Sequence, residues 1–303
     1  MDLAYLRAHP EHLPTFLTHQ RIRETPVAGG DSCAAVRLTL DDGHSIFAKT
    51  WPEAAGPVPD GFFATEAAGL RWLREAGAVA VPEVLVALPG LLALDWVEPG
   101  EPTPEAAERF GRELAGLHRA GAPAFGAGWP GFIGALPAEN TPDPGPWSAW
   151  FARCRLEPYL RRSVDGGALT ARDAALVTEV LDQIGEFGGD EPPSRVHGDL
   201  WPGNLLWGAD DRVWLVDPAA HGGHRETDLA QLALFGGAPH LARILAAYQE
   251  AWPPADGWRE RVPLHQLHLL LVHTALFGGA YRDAVAGAAR AALHGAGRAT
   301  VDR

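Results

Sequence analysis

The sequence predicts an α+β fold of two lobes, with a small β-rich lobe over residues 1–97 and a larger, mainly helical lobe over residues 98–303. Short apolar runs separated by turn residues fill the first part, whereas apolar side chains recur at helical spacing in the second. Between them, residues 98–102 combine two glutamates, two prolines and a glycine. This composition breaks regular structure and is typical of a hinge.

The first part is predicted to form strands with one helix, and it carries candidate phosphate-binding residues. Gly29 and Gly30 precede the first strand, Lys49 closes the second, and Glu66 lies in the helix, where it could pair with Lys49. Glycines let backbone amides approach phosphates closely, and an ammonium is a compact charge that suits them. Taken singly, a glycine pair is usually a turn and a lysine usually lies at the surface. The predicted strands cover residues 35–40, 45–48, 84–88 and 91–97, and the helix covers residues 63–76.

Lys49 stands out because it is the only lysine among the 25 Lys and Arg residues of the chain. A composition that favours arginine everywhere else has not replaced it. A guanidinium is larger and demands a different geometry, so position 49 is predicted to need an ammonium.

The second part is predicted to be helical around a glycine- and proline-rich loop at residues 122–145. Leu114 and Leu117 illustrate the helical spacing, since they fall on one face of the first helix. The predicted helices cover residues 104–120, 147–161, 171–187, 228–234, 241–251 and 263–277.

The most informative stretch runs from His197 to Asp217. Asp199 is followed five residues later by Asn204, and Asp217 comes after two short apolar runs, 205–207 and 213–216, joined by a turn. These runs predict a hairpin that places Asn204 and Asp217 at the same end. An aspartate can accept the proton of an attacking hydroxyl, and the other two side chains offer hard oxygen ligands to Mg²⁺ on nucleotide phosphates. The pattern indicates phosphoryl transfer.

These motifs resemble the fructosamine kinase (ketosamine-3-kinase) family, a branch of the protein-kinase-like fold that also holds aminoglycoside and choline kinases. The resemblance covers about residues 10–290. Residues 197–204 match the family motif HGDLWxGN, and residues 217–230 match its segment DPA…GxRExDLA. It implies ATP and Mg²⁺ as cofactors, and phosphorylation of a small-molecule or protein-bound ketosamine at the sugar 3-hydroxyl as a step in deglycation. In a kinase-like hinge, backbone groups near Trp96 and Val97 would meet the adenine.

The acceptor site is less well defined by the sequence. The resemblance favours Trp201 on the acceptor side, although this ring could simply fill core. His224, Arg225 and Glu226 are candidate acceptor contacts, although Arg225 and Glu226 could equally form a buried structural pair. Several positions depart from the family pattern, and three of them, Ala138, Val272 and Ala275, lack polar groups that the family often has, which suggests a preference for the shorter ribulosamine over fructosamine. All the departing positions are Cys33, Ala138, His221, Gly222, Val272 and Ala275.

Three other functions remain open at this point. One is a kinase of another amine or amino-sugar, of the aminoglycoside or choline type. Another is a nucleotide-binding regulator without turnover, although the joint presence of Lys49, Asp199, Asn204 and Asp217 argues against it. A third is a metallohydrolase, which would leave Lys49 and Asn204 unexplained. Its metal ligands would be His197, Asp199, His221, His224 and Asp228.

Composition limits the cellular compartment and the binding partners that are expected for this protein. A formal net charge of −13 argues against nucleic acid and anionic membranes as partners. Two cysteines do not make a disulfide framework, and residues 1–10 lack the apolar core of a signal peptide, so a cytoplasmic protein is expected. We expect a monomer or a weak dimer, and the redox role of Cys33 stays open.

Overall fold

The structure is a computed structural model that describes residues 5, 8–12, 22–27 and 33–299. Its first part is built on a five-stranded antiparallel sheet in the order β1-β2-β3-β5-β4. The strands are β1 (Arg23–Pro26), β2 (Ala34–Thr39), β3 (Ser45–Thr50), β4 (Val84–Leu88) and β5 (Leu91–Asp95). The sheet therefore confirms the predicted strands and adds β1.

The central strand β3 has two different faces because successive side chains alternate across a strand. Ile46 and Ala48 pack into a small apolar cluster on one face. On the other face, Lys49 points towards helix α1 (Phe62–Glu75), whose buried side chains include Glu66 and Leu70. The sheet and α1 thus fix one wall of a cleft.

The second part is mainly helical. Its longer helices are α2 (Pro104–Arg119), α5 (Ala171–Asp182), α7 (Leu241–Ala251), α8 (Trp258–Phe277) and α9 (Arg282–Ala299). Its shorter helices are α3 (Trp147–Phe151), α4 (Glu157–Asp165) and α6 (Arg225–Gln231). Among the helices that the structure describes, none is long and apolar enough to cross a membrane.

Three two-stranded sheets position the loops of the second part. They pair β6 (Gly131–Ile133) with β7 (Leu136–Ala138), β8 (Ser194–Val196) with β11 (His221–Gly223), and β9 (Leu205–Trp207) with β10 (Val213–Leu215). The β9–β10 hairpin has the predicted position. The other two pairs were not predicted, because β6 and β7 lie within the predicted loop at residues 122–145, and β8 and β11 are separated by the whole segment 197–220.

Several predicted boundaries differ from the structure. Strand β5 ends at Asp95, two residues before the predicted end. The helix predicted at 147–161 is interrupted by a π-helical turn, Ala152–Leu156, directly before α4. Pro158 explains the interruption, because a proline has no N–H to donate into the preceding turn. Helix α9 was missed although its buried residues Val285, Ala289 and Ala292 recur at helical spacing, because most of them are small alanines that give a weak apolar signal.

Helix α6 is anchored by buried ion pairs. Glu226 is 1% exposed and accepts hydrogen bonds from Arg261 Nε at 2.8 Å and Nη2 at 2.7 Å. Arg225 is 3% exposed and donates to Glu191 at 2.5 and 2.6 Å. His224 caps the helix, because its Nδ1 accepts from the backbone N–H of Glu226. These contacts fix the start of α6 against α8 and the segment before β8.

The pairing of Glu226 makes stability depend on pH. Burial alone would raise the pKa of Glu226, but hydrogen bonds from Arg261 and His265 outweigh it and hold the pKa well below its ordinary value. A carboxyl with a depressed pKa in the folded state contributes stability above its unfolded pKa of 4.5 and loses it as pH falls towards the folded value.

Glu226→Gln is therefore expected to lower the free energy of unfolding at pH 7 by about 3–5 kcal/mol, because it leaves Arg261 buried without a counter-charge. The difference from the wild type should shrink steadily below pH 4.5. Urea denaturation at a series of pH values measures it, with Glu179→Gln on the exposed face of α5 as the control. A difference that is small at pH 7, or that stays constant with pH, would contradict this pairing.

Candidate active site

The loop between β8 and β9 carries His197, Asp199 and Asn204, and its backbone needs a glycine at position 198. Gly198 has a φ of +82°, and a Cβ there would lie 2.4 Å from the carbonyl oxygen of Ala219. Only glycine adopts such a conformation without strain in so small a space. Gly198 therefore sets the direction in which the chain presents Asp199.

Helix α6 holds this loop from behind. The carboxylate of Asp228, fully buried, accepts hydrogen bonds from the backbone N–H groups of His197 at 2.7 Å and Gly198 at 2.9 Å. Gln231 accepts from the backbone N–H of Leu200 at 2.7 Å. Asp228 thus braces this loop from near the start of α6.

Asp199, Asn204 and Asp217 lie together, as the hairpin predicted. Asn204 Nδ2 donates to the Asp199 carbonyl at 2.8 Å and to Asp199 Oδ2 at 3.1 Å. The same group lies 3.4 Å from the carbonyl oxygen of Asp217. Because β9 and β10 pair from Trp207↔Val213 to Leu205↔Leu215, their open end brings Asn204 and Asp217 side by side.

Asp217 adopts an unusual backbone conformation with a φ of +51°. Aspartate tolerates this left-handed region better than most residues, yet the conformation costs free energy. It turns the chain directly after β10, and the side chain that results is 41% exposed. A strained aspartate beside two other polar side chains is typical of a functional site.

Lys49 contacts two carboxylates, Glu66 on the same wall of the cleft and Asp217 after β10. Its ammonium, on a side chain 11% exposed, donates to Glu66 Oε1 at 3.0 Å and also to Asp217 Oδ1. Burial alone would lower the pKa of Lys49, but the charges of Asp217 and Glu66 outweigh it and raise the pKa above its ordinary value. Lys49 therefore stays protonated throughout the physiological range.

The three carboxyls of the cleft differ in acidity. Burial raises the pKa of Asp199 well above its ordinary value, the hydrogen bond from Asn204 opposes this, and the charges of Asp217 and Asp228 add to it. Burial also raises the pKa of Glu66. For Asp217, burial would raise the pKa, but the neighbouring ammonium of Lys49 outweighs it and lowers the pKa. The pKa of Asp199 is thus raised and that of Asp217 lowered, which suits two different roles for these aspartates.

The segment after β5 contains the residues predicted to meet a base. Trp96 Nε1 donates to Glu98 Oε2 at 2.9 Å, and the guanidinium of Arg37 lies 4.5 Å from the centre of its ring. The Trp96 side chain is therefore engaged within the protein, and only the backbone of Trp96 and Val97 is available for the predicted role. Gly29 and Gly30 lie outside the described residues.

Trp201 lies beside the loop that carries Asp199. Its indole ring covers Gly203 so closely that a Cβ at position 203 would lie 2.1 Å from the ring. This packing explains the glycine two residues after the tryptophan. On its other side the ring is 5.7 Å from Phe235 and 6.5 Å from His273, centre to centre.

His224, Arg225 and Glu226 are buried and paired within the protein. His224 Nε2 donates to the carbonyl of Gly189 at 2.6 Å, Arg225 binds Glu191, and Glu226 binds Arg261. Their polar atoms are thus paired with other protein groups, as expected if Arg225 and Glu226 have a structural role.

The structure does not assemble the metallohydrolase ligand set. His197 Nε2 donates to the carbonyl of Val216 at 2.8 Å, and Asp228 accepts from backbone amides. Among the described residues, His224, Glu226 and His265 do place ligand atoms within 4.8 Å of one another. However, His224 uses both ring nitrogens and Glu226 binds Arg261, so this cluster already has protein partners.

Sequence reasoning missed three residues that support the loop. Gln231, His118 and Tyr248 are each fully buried. His118 Nε2 lies 3.1 Å from Asp228 Oδ2, and the Tyr248 hydroxyl lies 2.8 Å from His118 Nδ1. These residues lie in three different helices, so no sequence spacing relates them to one another. His118 alone gave a detectable signal, as a histidine on the apolar face of α2.

Cys33 lies next to this cleft at the start of β2. Burial raises the pKa of its thiol to about 11. Because the thiolate is the reactive form, this environment makes the thiol slow to react at neutral pH.

Comparison with known proteins agrees with this geometry. The sequence model described as fructosamine kinase matches residues 11–294. A Thermus thermophilus protein named as a ketoamine kinase is 36% identical over 262 residues, covering 86% of this chain and 90% of its own. A similar protein from Enterococcus faecium, also named as a ketoamine kinase, is 31% identical over 268 residues, covering 86% of this chain and 91% of its own.

Solved structures agree as well. A crystal structure named as a fructosamine-3-kinase, from Thermobifida fusca, has a TM-score of 0.86 and 50% identity, and the match covers 92% of this chain and 96% of that one. A choline kinase from Cryptosporidium parvum has a TM-score of 0.61 at 12% identity, covering 99% and 95%, and shares the fold alone. The chain therefore has a two-lobed kinase-like fold and belongs to the fructosamine kinase family, whose members are phosphotransferases.

Proposed function

We propose that this enzyme uses ATP and Mg²⁺ to phosphorylate a small-molecule ketosamine at the sugar 3-hydroxyl, a reaction that serves deglycation. The observation that carries the proposal is the meeting of Lys49, Asp199, Asn204 and Asp217 in one cleft, although Lys49 and Asp217 are 168 residues apart in the sequence. Membership of the fructosamine kinase family supports a ketosamine as the acceptor. A protein-bound ketosamine is an acceptor of the same chemistry.

The donor set fits a hard divalent cation. Asn204 uses its amide N–H on Asp199 and Asp217, which leaves its Oδ1, and Asp217 binds Lys49 through Oδ1, which leaves Oδ2. Both remaining atoms are oxygens, the ligands that Mg²⁺ prefers. When bound, the cation would neutralise negative charge on the phosphates of ATP.

Lys49 would bind the phosphates with Glu66 as its anchor. Glu66 fixes the ammonium from within α1, so Lys49 can exchange Asp217 for a phosphate oxygen without losing its first partner. Backbone groups of Trp96 and Val97 would hold the adenine, and the backbone at Gly29 and Gly30 would cover the phosphates. In this proposal the two lobes meet near residue 97, so the nucleotide lies between residues 1–97 and residues 98–303.

Asp199 would act as the base. The acceptor hydroxyl oxygen forms a bond to the γ-phosphorus, the bond from that phosphorus to the bridging oxygen of ADP breaks, and the hydroxyl proton passes to Asp199 Oδ1 or Oδ2. The raised pKa of Asp199 makes its carboxylate a better proton acceptor than that of an ordinary aspartate. Asn204 holds the carboxylate towards the cleft.

On the acceptor side we propose that Trp201 packs against the sugar. Arg225 and Glu226 are assigned to support of α6, since their charges are already paired. Recognition of the acceptor ammonium then falls to aromatic faces, which attract cations. Ala138 and Val272 are buried in the apolar core, whereas Ala275 is half-buried and offers no polar group to a longer sugar, which favours ribulosamine over fructosamine. The enzyme would act as a monomer or weak dimer.

Asp199→Asn tests the base. The substitution is nearly isosteric, so the protein should melt at the wild-type temperature while kcat falls roughly 100- to 10,000-fold. In the wild type, kcat/KM should rise with pH along an acid limb placed above 3.8, the ordinary aspartate pKa, because only the ionised carboxylate accepts the proton. Asp182→Asn, an exposed aspartate in α5, is the matched control. Full turnover by a folded Asp199→Asn enzyme would remove Asp199 from this role.

A panel of acceptors tests the substrate. Ribulosyl-lysine and fructosyl-lysine should exceed free fructose in kcat/KM by roughly tenfold or more, because free fructose lacks the ammonium that the aromatic faces attract. Ribulosyl-lysine should exceed fructosyl-lysine. Choline and an aminoglycoside complete the panel, and ATP consumption is the readout. If choline or the aminoglycoside were phosphorylated and neither ketosamine were, the acceptor assignment would be wrong and the kinase assignment would stand.

A further inference from the structure

Five aromatic side chains form a continuous surface that starts at the proposed sugar site. We call this surface the aromatic rim and define it as Trp201, Phe235, His273, Phe277 and Tyr281. Neighbouring ring centres lie between 4.4 and 6.5 Å apart. The rings come from the loop after Asp199, the segment after α6, helix α8 and the turn that follows it. Chain segments distant in sequence thus converge on one place beside Asp199.

The rim is open to solvent at its outer end. Phe235 is 38% exposed and Phe277 is 45% exposed, whereas Trp201 and Tyr281 are only partly exposed. Of the other large exposed apolar side chains in the described part of the chain, Val164 and Leu206 are not aromatic, and Tyr5 contacts the rings of His9 and His12 instead. A contiguous exposed aromatic surface that continues into a polar site is typical of a binding surface.

The backbone holds Phe235 in this exposed position at a cost. Phe235 has a φ of +52°, and Gly236 and Gly237 follow with φ values of +99° and +79°. A bulky residue in the left-handed region is a genuine outlier, because its Cβ crowds the backbone. Glycine would fit that turn without strain, so the turn alone does not explain the phenylalanine. The strain points to a role for the ring itself.

We infer that the aromatic rim binds the nitrogen substituent of the ketosamine and selects for acceptors whose amine carries an aromatic group. This inference rests on the proposed function, which places the sugar against Trp201. A ketosamine has its amine at one end of the sugar, so a substituent on that nitrogen extends away from the reacting hydroxyl. Trp201 joins the sugar site to the rim, and Phe235 and Phe277 lie further out along it. Ring faces also attract the ammonium, which lies between the sugar and the nitrogen substituent.

Two ketosamines of the same sugar test the inference, one with an N-methyl group and one with an N-phenethyl group. The wild type should show a kcat/KM for the phenethyl compound at least about tenfold higher, since burial of a few carbons gives discrimination of this order. Phe235→Ala and Phe277→Ala should each remove most of this preference by raising KM for the phenethyl compound. Their kcat and KM for the methyl compound should stay within about twofold of the wild type.

The controls separate this inference from the proposed function. Val164→Ala, with the same 38% exposure as Phe235, should keep the wild-type preference. Thermal melting checks that each variant is folded, and Phe277→Ala serves if Phe235→Ala is not. Equal use of both compounds by the wild type, or equal loss on both in the folded variants, would overturn the aromatic rim as a selective subsite. Failure to phosphorylate either compound would instead overturn the proposed acceptor class.

Discussion

The ammonium of Lys49 is the contact on which the arrangement of the site depends. It joins β3 to Glu66 in α1, 17 residues away in the sequence, and to Asp217 after β10, 168 residues away. The two carboxylates keep Lys49 charged in spite of its burial, and Lys49 in turn keeps Asp217 ionised. One cation thus couples the position of the sheet to the charge of the proposed metal ligand, and this explains why an arginine-rich chain retains one lysine.

A second constraint comes from behind the loop that carries Asp199. Asp228 fixes the backbone on either side of position 197 by accepting two amide hydrogen bonds. His118, in α2, contacts the same carboxylate through its Nε2. The start of α6 is in turn anchored by Arg225 and Glu226. Groups that look catalytic in the sequence are therefore structural here, and they act on the site through the position of the loop.

The sequence predicted those parts of the fold and site that depend on local pattern. Asp199, Asn204 and Asp217 were predicted to lie together because a short loop and a hairpin fix their spacing, and Lys49 was recognised because it is the only lysine of the chain and ends a predicted strand. The partners of Glu226 could not be predicted, because Arg261 lies 35 residues away and meets it only through packing of α6 on α8. The exposed position of Phe235 was not predicted for a related reason. It results from a left-handed backbone conformation in the turn that Phe235 forms with Gly236 and Gly237. Long-range packing and backbone strain leave no periodic signal in a sequence.

The central claim, that Lys49 binds the phosphates of the nucleotide, is tested most directly by calorimetric titration of Lys49→Met with Mg-ATP and with adenosine. Loss of a charge-assisted hydrogen bond of roughly 1.5–3 kcal/mol should weaken Mg-ATP binding by about 10- to 100-fold. Binding of adenosine should be unchanged, because it has no phosphate. A folded variant that binds Mg-ATP as tightly as the wild type, or that loses both ligands equally, would contradict the account.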